Sequence, residues 1–564
     1  MGSDPIHDEL DERAAAVAEQ VVAWRRHLHR HPELPNREVD TARLVADRLR
    51  TLDLDEVRTG IAGHGVVGVL RGGVPGERVV ALRADTDALP VRDLCGAEFA
   101  SEVVDTEYPG GPFPVSHACG HDCHTAALLG AATVLAGVRE RLPGTVLFVF
   151  QPAEEGPPVT EEGGARAMVE AGAFDGPVPT MVFGLHVTPY PKGYVGYRIG
   201  NQYGASVLVR IVVTGRQTHG STPWEGVDPM PAVGAVLTGI GQLYRQVSAF
   251  DPVTVSIGHV EDVGRFNIVG QTVTLWGTVR CAVESDMERV RQRLTTLAEH
   301  SAAAYGATAE VAYLQPVPPV RNTGPWVAAG LPTFRRVVGA ERVVETPGTL
   351  GYDDVSELVG RFGGLYVMLG VQDTVLDAAG RPVPEPGGRG LATNHNPGFY
   401  ADDDTLVTAV RLHAHVAHDH LAGALLPGTT AESGPSRVAA PSAGGRLGAS
   451  GRAPAGRDMI LDLAALADEH LSAARTAPHG RSARVVLHDG VLRQTVIALT
   501  SGTSLDEHNA PPAASLQVLR GRVDLTAAGR AEELTTGALR MIPKERHGLT
   551  ALEDAVVLLT AVND

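Results

Sequence analysis

The sequence is short of cysteine, of long apolar runs and of positive charge, and each shortage excludes a class of protein. Four cysteines in 564 residues are too few for the disulfide framework of a secreted scaffold, so we expect a reducing compartment. No apolar run reaches the length of about 18 residues that a membrane span needs, and the acidic amino terminus lacks the layout of a signal peptide. These absences predict a cytoplasmic protein without a membrane partner.

The shortage of positive charge bears on partners. The chain has 48 Lys and Arg against 66 Asp and Glu, which gives a formal net charge of −18. That sign is repelled by phosphate backbones, so we expect no nucleic-acid partner. With 43% hydrophobic and 20% charged residues, the composition is that of an ordinary globular protein. At about 150 residues per domain, the length predicts several domains.

The clearest boundary along the chain is a stretch rich in Gly, Ala, Ser and Pro at residues 427–457, which is predicted to be a flexible linker. Before it, apolar strand-like runs alternate with helical stretches, which is typical of an α/β fold with a helix-covered mixed sheet. Residues 201–316 have their own order of strand, helix, two strands, helix and strand. This βαββαβ order predicts an inserted ferredoxin-like lid or dimerisation domain between two parts of the main domain, residues 1–200 and 317–426.

Residues 458–564 differ from everything before the linker. They contain short β-rich pieces separated by Gly and Pro turns. That pattern predicts a small all-β barrel as a separate domain at the carboxyl end.

The densest chemistry is the segment HACGHDCH at residues 117–124, directly before an apolar helical run. Cys119 and His121 flank Gly120, and a sharp glycine turn lets a thiolate and an imidazole face one ion. The alternative is a helix cap with chance histidines. A closed structural zinc site is less favoured, because no second CxxC or HxxxH pair lies nearby to complete four ligands.

Two adjacent carboxylates, Glu154 and Glu155, follow an apolar strand. Adjacent acids repel each other unless a cation lies between them. Side chains that leave a strand in succession point in opposite directions, so one acid can bind metal while the other works as a general acid or base. A Glu pair is more often a solvated loop, but its place at the carboxyl end of a strand in an α/β fold favours a functional site.

Two further histidines, His186 and His395, follow an apolar strand and precede the last helix of the main domain. Alone, each would be interpreted as structural. Together with the thiolate and the two acids they provide what a two-metal hydrolase needs, which is ligands from several loops and a spare carboxylate to deprotonate a water.

Several spaced motifs now resemble one family. The sequence resembles the metallopeptidase-like amidohydrolases that include aminoacylase, hippurate hydrolase and indole-acetyl-amino-acid hydrolase, over about residues 15–422. The motifs that carry the resemblance occur in the family's order: WRRHLHRHPEL at 24–34, LRADTDALP at 82–90, HACGHDCH at 117–124, QPAEEG at 151–156, GLH at 184–186 and HNP at 395–397.

This resemblance implies roles for individual residues. The implied ligands of two divalent ions, manganese or zinc, are Cys119, His121, Glu155, His186 and His395, with Cys119 as the bridge. Glu154 is implied as the catalytic acid/base, and His219 as the group that stabilises the oxyanion, in relatives often across a dimer interface. Asn267 and Arg280 are implied to hold the substrate carboxylate, although Arg280 can also be interpreted as a surface cation at a strand end. A homodimer or higher homo-oligomer is therefore expected.

The sequence also departs from the family pattern. Position 123 is Cys where relatives usually have Gly, and Gly270 replaces a proline in the segment after Asn267. Asp353 stands where relatives carry a longer Glu. Residues 157–162, PPVTEE, are inserted after the first Glu pair and create a second one, Glu161 and Glu162. Such a loop beside the base is expected to reshape the substrate pocket.

The predicted reaction is hydrolysis of the amide bond of an N-acyl amino acid, with a small molecule as the partner. A metallo-dipeptidase or carboxypeptidase would use the same ligands, and a non-catalytic small-molecule sensor is the alternative of a different class. The carboxyl-terminal segment resembles a cupin around residues 502–508 and 543–547, but His508 and His547 are a thin ligand set. We therefore expect a cupin-like barrel without a metal. The motifs leave open the acyl group, the amino acid and the metal.

Overall fold

The computed structural model describes residues 5–248, 251–262, 264–427, 463–477, 479–489, 492–508, 513–527, 530–543 and 546–562. The chain divides into two compact units, Met1–Ser433 and Gly434–Asp564, and each has its own hydrophobic core. All but the first residue of the linker predicted at 427–457 lies outside the described residues. None of the helices in the described part of the chain combines the length and the apolar character that crossing a bilayer requires.

The helices of the first unit are α1 (Pro5–Arg30), α2 (Val39–Arg50), α3 (His121–Ala136), α4 (Gly164–Glu170), α5 (Met230–Leu243), α6 (Glu284–Ala304), α7 (Gly324–Val338), α8 (Val355–Phe362) and α9 (Leu406–Ala422). Its strands are β1 (Glu56–Ile61), β2 (Gly65–Arg71), β3 (Val74–Asp85), β4 (Val104–Asp105), β5 (Phe113–Pro114), β6 (Pro143–Gln151), β7 (Met181–Pro191), β8 (Val195–Tyr197), β9 (Gly200–Asn201), β10 (Ala205–Thr214), β11 (Thr218–His219), β12 (Val253–Asp262), β13 (Ile268–Val269), β14 (Thr272–Cys281), β15 (Thr308–Val317), β16 (Arg321–Asn322), β17 (Val343–Glu345), β18 (Gly364–Gln372), β19 (Thr374–Leu376) and β20 (Pro382–Pro384).

The main sheet has eight strands in the order β1-β2-β6-β3-β7-β18-β8-β17. Its centre is parallel, because β3 runs with β6 and β7, and β18 runs with β7. The outer pairs β1–β2 and β2–β6 are antiparallel, so the sheet is mixed. Helices on both faces bury the central strands, which explains why they are continuous apolar runs rather than alternating ones.

The register of the central strands brings their chemistry to one edge. Asp85 of β3 pairs with Gln151 of β6, and Arg83 pairs with Gly184 of β7. Two residues further along β7 is His186, which is therefore level with Asp85. The carboxyl ends of these three parallel strands form the edge at which the site lies.

Helix α3 is buried on nearly all sides and packs against α1 and α9. A Cβ at Gly130 would come within 2.6 Å of Val21 and 2.7 Å of Val410, so glycine is needed for this close approach. Small side chains along α3 let two neighbouring helices pack tightly against it. His121, the first residue of α3, is thus held by a rigid element.

The inserted segment forms a four-stranded antiparallel sheet in the order β12-β14-β10-β15, with α5 and α6 packed against it. Buried and partly exposed residues alternate along β14, so one face of the sheet carries the core and the other does not. The order of elements is the predicted βαββαβ order. The structure adds a two-stranded ribbon, β11 paired with β13, which lies between the larger elements in the sequence.

The second unit begins with α10 (Leu463–Thr476) and continues with β21 (Arg481–Asp489), β22 (Leu492–Leu499), β23 (Ser504–His508), β24 (Ala513–Arg520), β25 (Arg522–Ala527), β26 (Arg530–Thr535), β27 (Leu539–Met541), β28 (His547–Ala551) and β29 (Ala555–Val562). Its strands form two antiparallel sheets, β21-β22-β29-β24-β27 and β23-β28-β25-β26. In the second sheet His508 pairs with His547. Helix α10 was not predicted from the sequence. Its buried Leu471 packs against the first sheet.

Candidate metal centre

A left-handed glycine turn places the first two predicted ligands. Gly120 has φ +88°, and a Cβ there would lie 2.2 Å from Cγ2 of Val187, so the position requires glycine. Cys119 and His121 on either side of it are buried. Their ligand atoms lie within 4.8 Å of each other and of His186 from β7, and Cys119 Sγ is 3.4 Å from Nε2 of His186.

A second group of three shares the same thiol. Cys119, Glu155 and His395 also have their ligand atoms within 4.8 Å of one another, and Nε2 of His395 lies 3.1 Å from Oε1 of Glu155. His395 has a positive φ of 67°, an uncommon conformation that aims its side chain at the site. The structure therefore brings all five sequence-predicted ligands together, with Cys119 common to both groups.

Hydrogen bonds fix which ring nitrogen of two histidines is left to bind an ion. Nδ1 of His121 lies 3.1 Å from Oδ1 of Asp87, and Nδ1 of His186 lies 2.7 Å from the carbonyl oxygen of Val187. Each oxygen accepts a hydrogen bond from Nδ1–H, so in the neutral rings Nε2 keeps its lone pair. Nε2 of His121 is buried without a hydrogen-bond partner among the described residues. A buried ring nitrogen with a free lone pair is suited to bind a metal ion. These residues therefore fit a metal site.

The charges around the site also fit cations. Burial raises the pKa of the Cys119 thiol, and the nearby Glu155 and Glu154 raise it further. Burial lowers the pKa of His186 to about 3 and so keeps its ring neutral. Burial opposes the ionisation of Glu155, but His395 and His121 outweigh it and lower the pKa of that carboxyl to about 2. A thiolate among several carboxylates is stable only beside positive charge, which divalent ions would supply.

Glu154 lies beside this group and is buried. Its Oε2 is 3.8 Å from Nε2 of His121. The preceding Ala153 has φ +54°, and its N–H donates to Oε1 of the buried Glu38 at 2.8 Å, so the turn that presents Glu154 is held in place. Burial, together with the charges of Asp353 and Glu155, raises the pKa of Glu154 well above its usual value. A carboxyl group with a raised pKa next to an ion site is suited to accept and return a proton.

Asp87 belongs to the LRADTDALP motif but was not predicted to have a role of its own. In the structure it positions two of the predicted ligands. One carboxylate oxygen accepts from His121, and the other accepts from the backbone N–H of Glu155 at 2.9 Å. Asp87 therefore orients two of the five predicted ligands at once. Its place two residues beyond β3, at the edge where β6 also ends, is the signal that could have identified it.

The other members of the cysteine and histidine cluster do not join the five. Nδ1 of His124 is bonded to Asp85, and its Nε2 accepts from the backbone N–H of Val187 at 2.8 Å, so neither nitrogen is left for a metal. His117 is buried with neither nitrogen hydrogen-bonded within the described residues, and burial lowers its pKa to about 3. Cys123 is buried in the first turn of α3.

The departures noted in the sequence have structural partners. Asp353 pairs with the fully buried Arg83 at 2.9 Å and also accepts from the hydroxyl of Tyr366, so the shorter acid belongs to a buried charge network. Glu161 of the inserted loop binds Arg37, with Nη2 to Oε1 at 2.7 Å. The carboxylate of Glu161 is thus bound to Arg37 rather than to the five clustered ligands.

A cavity of about 700 Å³ opens beside Glu154 and Glu155. Its walls include Leu89, the inserted Pro157, Pro158 and Val159, and residues of the four-stranded sheet such as Thr278 of β14. Thr278 and Arg280 lie two residues apart on β14 and so share a face of the sheet. The guanidinium of Arg280 stacks 5.0 Å from the ring centre of Tyr352, whose hydroxyl donates to the carbonyl of Glu154 at 3.4 Å. Arg280 therefore contacts Tyr352, and Tyr352 in turn contacts the backbone of the predicted base, Glu154.

His219 and Asn267 are placed differently. Both are exposed, and they meet where β11 pairs with β13, with the N–H of Gly220 donating to the carbonyl of Asn267 at 2.9 Å. Nδ1 of His219 lies 2.6 Å from the hydroxyl of Ser221. Among the described residues, no hydrogen bond or ion pair joins either of them to the five clustered ligands. The exposed aromatic side chains Trp224 and Phe266 lie near them in the sequence.

Comparison with known proteins decides the family. The sequence pattern of peptidase family M20/M25/M40 matches residues 81–419. The chain belongs to this family. It is 33% identical to thermostable carboxypeptidase 2 of Saccharolobus solfataricus over 73% of this chain and 98% of that protein. It is 31% identical to N-acetylcysteine deacetylase of Bacillus subtilis over 71% of this chain and 96% of that protein.

The solved structures agree with this assignment. A dinuclear metal-binding peptidase of the M20 family from Bacillus subtilis is 29% identical and has a TM-score of 0.56, with 72% of this chain and 99% of that chain covered. The resemblance to metallopeptidase-like amidohydrolases is thereby confirmed, and the mixed α/β fold of the first unit is that of the family. Residues beyond 419, including the second unit, lie outside the family match.

Proposed function

We propose that this member of the M20 family hydrolyses the amide bond of an N-acyl amino acid to a carboxylic acid and an amino acid. The observation that carries the proposal is the convergence of Cys119, His121, Glu155, His186 and His395, with Glu154 buried beside them. A site with a complete ligand set and a spare buried acid has the parts of a metal-assisted hydrolase.

The roles follow from position. Two divalent ions, manganese or zinc, held by the five ligands would polarise the acyl carbonyl and lower the pKa of a water. Glu154 takes the proton of that water and passes it to the leaving amine, because its buried carboxyl group lies beside the ligands with a raised pKa, whereas the nearby Asp87 is bonded to His121 and to the N–H of Glu155. His219 stabilises the oxyanion from a second copy of the chain, since within its own chain it is exposed and has no contact with the ligands among the described residues. A homodimer is therefore part of the proposal, with the inserted domain as its interface.

Substrate recognition is assigned to the inserted domain and the cavity. Arg280 would bind the substrate carboxylate through its planar fork, with Asn267 as a second contact. The cavity has the size that small-molecule sites usually have, and Leu89, Pro157, Pro158 and Val159 make part of its wall apolar, which suits a bulky acyl group. The inserted residues 157–162 contribute part of that wall. A cytoplasmic location belongs to the same proposal, because Cys119 has to stay reduced to bind metal.

A carboxypeptidase is the second candidate, favoured by the 33% identity to a thermostable carboxypeptidase. A peptide also ends in a carboxylate that Arg280 would recognise, so the two candidates differ in what lies on the acyl side. For the second unit we propose a metal-free cupin-like barrel that binds a small molecule or supports assembly.

The deciding experiment is a substrate panel with the metal-loaded full chain. N-acetyl, N-benzoyl and indole-acetyl amino acids are compared with dipeptides, and the matching amino acid amides serve as controls without a free carboxylate. We expect hydrolysis of the N-acyl amino acids, with a bulky acyl group preferred and the amides poor. Faster hydrolysis of every dipeptide would overturn the proposal in favour of the carboxypeptidase.

A further inference from the structure

A second group of histidines lies where the first and last helices of the hydrolase unit pack together. It consists of His7 on α1 with His415, His418 and Asp419 on α9, and we call it the helix-pair cluster. All four residues are buried. Nε2 of His7 lies 3.3 Å from Oδ1 of Asp419, and Nδ1 of His418 lies 3.4 Å from the same oxygen. None of these residues belongs to the metal centre described above.

The hydrogen bonds of this cluster indicate that it holds an extra proton or a cation. Three contacts run in a row: Oδ1 of Asp11 to Nε2 of His415 at 2.8 Å, Nδ1 of His415 to Nδ1 of His7 at 3.1 Å, and Nε2 of His7 to Asp419. The first two contacts are hydrogen bonds and together use both protons that two neutral imidazoles carry, whereas the third is a nitrogen–oxygen approach of 3.3 Å. One contact is therefore left with two facing lone pairs, unless the row holds an extra proton or a cation.

The cation is better placed at the Asp419 end of the row. At the other end Arg411 binds both oxygens of Asp11, at 2.6 and 2.9 Å, whereas Arg336 binds only Oδ2 of Asp419 and leaves Oδ1 to the histidines. If His415 donates to Asp11 and His7 donates to His415, Nε2 of His7 is left with its lone pair directed at Asp419. His418 brings a second imidazole nitrogen to the same carboxylate oxygen, so three ligand atoms converge there.

The spacing of these atoms matches a metal ion. Zinc bound by nitrogen and oxygen at roughly 2.0–2.1 Å in a tetrahedron separates neighbouring ligand atoms by about 3.3–3.4 Å. The two distances to Oδ1 of Asp419 have those values. The other oxygen of Asp419 accepts from Arg336 at 2.7 Å and from the hydroxyl of Thr333, which holds the carboxylate in this orientation. Side-chain exposures of 10% for His7 and 9% for His418 leave a path for water and an ion.

We propose that His7, His418 and Asp419 bind a zinc ion, with water as the fourth ligand. Two imidazoles and a carboxylate form a ligand set that suits zinc. The ion links the start of α1 to the end of α9. Both helices pack against α3, whose first residue is the predicted hydrolytic ligand His121. The site is structural and separate from the hydrolytic centre. Its ion takes the place of the proton that two neutral histidines cannot supply to the row of contacts.

The test measures zinc bound per chain. The full-length wild type, saturated with zinc and then dialysed against metal-free buffer, is compared with the double variant His7→Gln/His418→Gln by elemental analysis. We expect the double variant to hold one equivalent less, whatever the hydrolytic centre retains. Hydrolysis by the zinc-loaded double variant is expected within about twofold of the wild type at a temperature well below its unfolding midpoint, because no altered residue belongs to the hydrolytic centre.

His300→Gln is the matched control, since His300 is exposed on α6 and its removal should leave the zinc content unchanged. Added zinc should also raise the thermal unfolding midpoint of the wild type by a few degrees more than that of the double variant, on the order of 2–4 °C. Equal zinc content and equal stabilisation in both proteins would overturn the proposal, and would instead show that an extra proton neutralises the cluster.

A measurement on the wild type alone covers the case in which the double variant does not fold. Crystals grown with zinc are measured on both sides of the zinc absorption edge. We expect an anomalous difference peak between His7, His418 and Asp419. Such crystals with peaks at the hydrolytic centre and none at the helix-pair cluster would rule the site out. Cobalt, which reports tetrahedral nitrogen and oxygen ligands by its visible absorption, provides a solution probe of the same difference between wild type and variant.

Discussion

The metal ligands and His219 were both predicted from motifs, but the structure places them in different surroundings. At the metal centre, five residues from four parts of the sequence bring their ligand atoms together in two groups of three, within 4.8 Å in each group, and Cys119, His121 and His186 are buried. At the ribbon, His219 and Asn267 meet each other but not the centre. All five predicted ligands of this largely buried region come from one chain. The exposed region has no hydrogen bond or ion pair to them among the described residues.

This difference shows what a single chain can establish. Burial without a hydrogen-bond partner, as at Nε2 of His121, fits a metal ligand, because an orphaned buried polar atom is costly. An exposed histidine has water as a partner and carries no such evidence. The roles of His219 and Asn267 therefore remain predictions that need a second copy of the chain.

The largest expected effect is at the buried region. Glu154→Gln removes the proton acceptor while keeping the side-chain shape, so turnover should fall by about 100- to 10,000-fold with metal content intact. Turnover and metal content are measured on the same preparation.

Glu161→Gln is the matched control, since Glu161 belongs to the second Glu pair and is bound to Arg37. Because Glu161 lines the same cavity, its substitution should affect substrate binding more than turnover. Similar losses in both variants, or full activity of Glu154→Gln, would show that the wrong pair was assigned.

The next effect tests the exposed region. His219→Ala should lower turnover by about 100- to 1,000-fold if His219 stabilises the oxyanion, and leave metal content unchanged. His259→Ala, an exposed histidine on β12 of the same inserted domain, is the control and should be neutral.

A mixing experiment separates action within a chain from action across an interface. If His219 acts on a second copy, dimers formed from His219→Ala and Glu154→Gln chains contain one intact site and regain activity well above either variant alone. Mixtures with no gain, from variants shown to exchange subunits, would contradict the dimeric site.

Much of the first unit could be predicted from the sequence because its signals are local. The apolar runs that became β3, β6, β7 and β18 are continuous, as strands buried on both faces must be. Glycine beside Cys119 and His121 predicted the turn, and the positive φ of Gly120 agrees with that prediction. The βαββαβ order followed from alternating periods of 2 and 3.6 residues.

The rest depended on contacts that no local pattern contains. The role of Asp87 requires that β3 and β6 end at the same edge, which is a property of strand order. The ribbon β11–β13 consists of two-residue strands, too short for any period to appear. The helix α10 was missed because β-rich pieces dominate the segment that follows it, although the sequence LAALADEHLSAART consists mostly of good helix formers.

A smaller effect tests whether Asp87 positions the buried ligands. Asp87→Asn keeps the size of the side chain but weakens its bonds to His121 and to the N–H of Glu155, so metal affinity should fall by about 10- to 100-fold. Asp93→Asn is the matched control, because Asp93 accepts from His29, which is outside the five clustered ligands. Affinities are measured by competition with a chelator of known strength. A larger loss of affinity in Asp93→Asn than in Asp87→Asn would contradict the positioning role.

The smallest predicted effect is on the pH dependence of stability, which should differ between a buried histidine and an exposed one. Burial lowers the pKa of His420, on α9, to about 4, whereas an unfolded chain titrates near 6.5. The unfolded state therefore binds the proton first, so the stabilisation is complete above about pH 6.5 and is lost as the pH falls towards 4. Between pH 7 and pH 5 the free energy of unfolding should fall by about 2 kcal/mol on account of this residue. Urea unfolding of His420→Gln should show a correspondingly weaker pH dependence than the wild type, while His300→Gln, which alters an exposed side chain, should follow the wild type. Identical pH dependence in all three proteins would mean that His420 is not kept neutral by its burial.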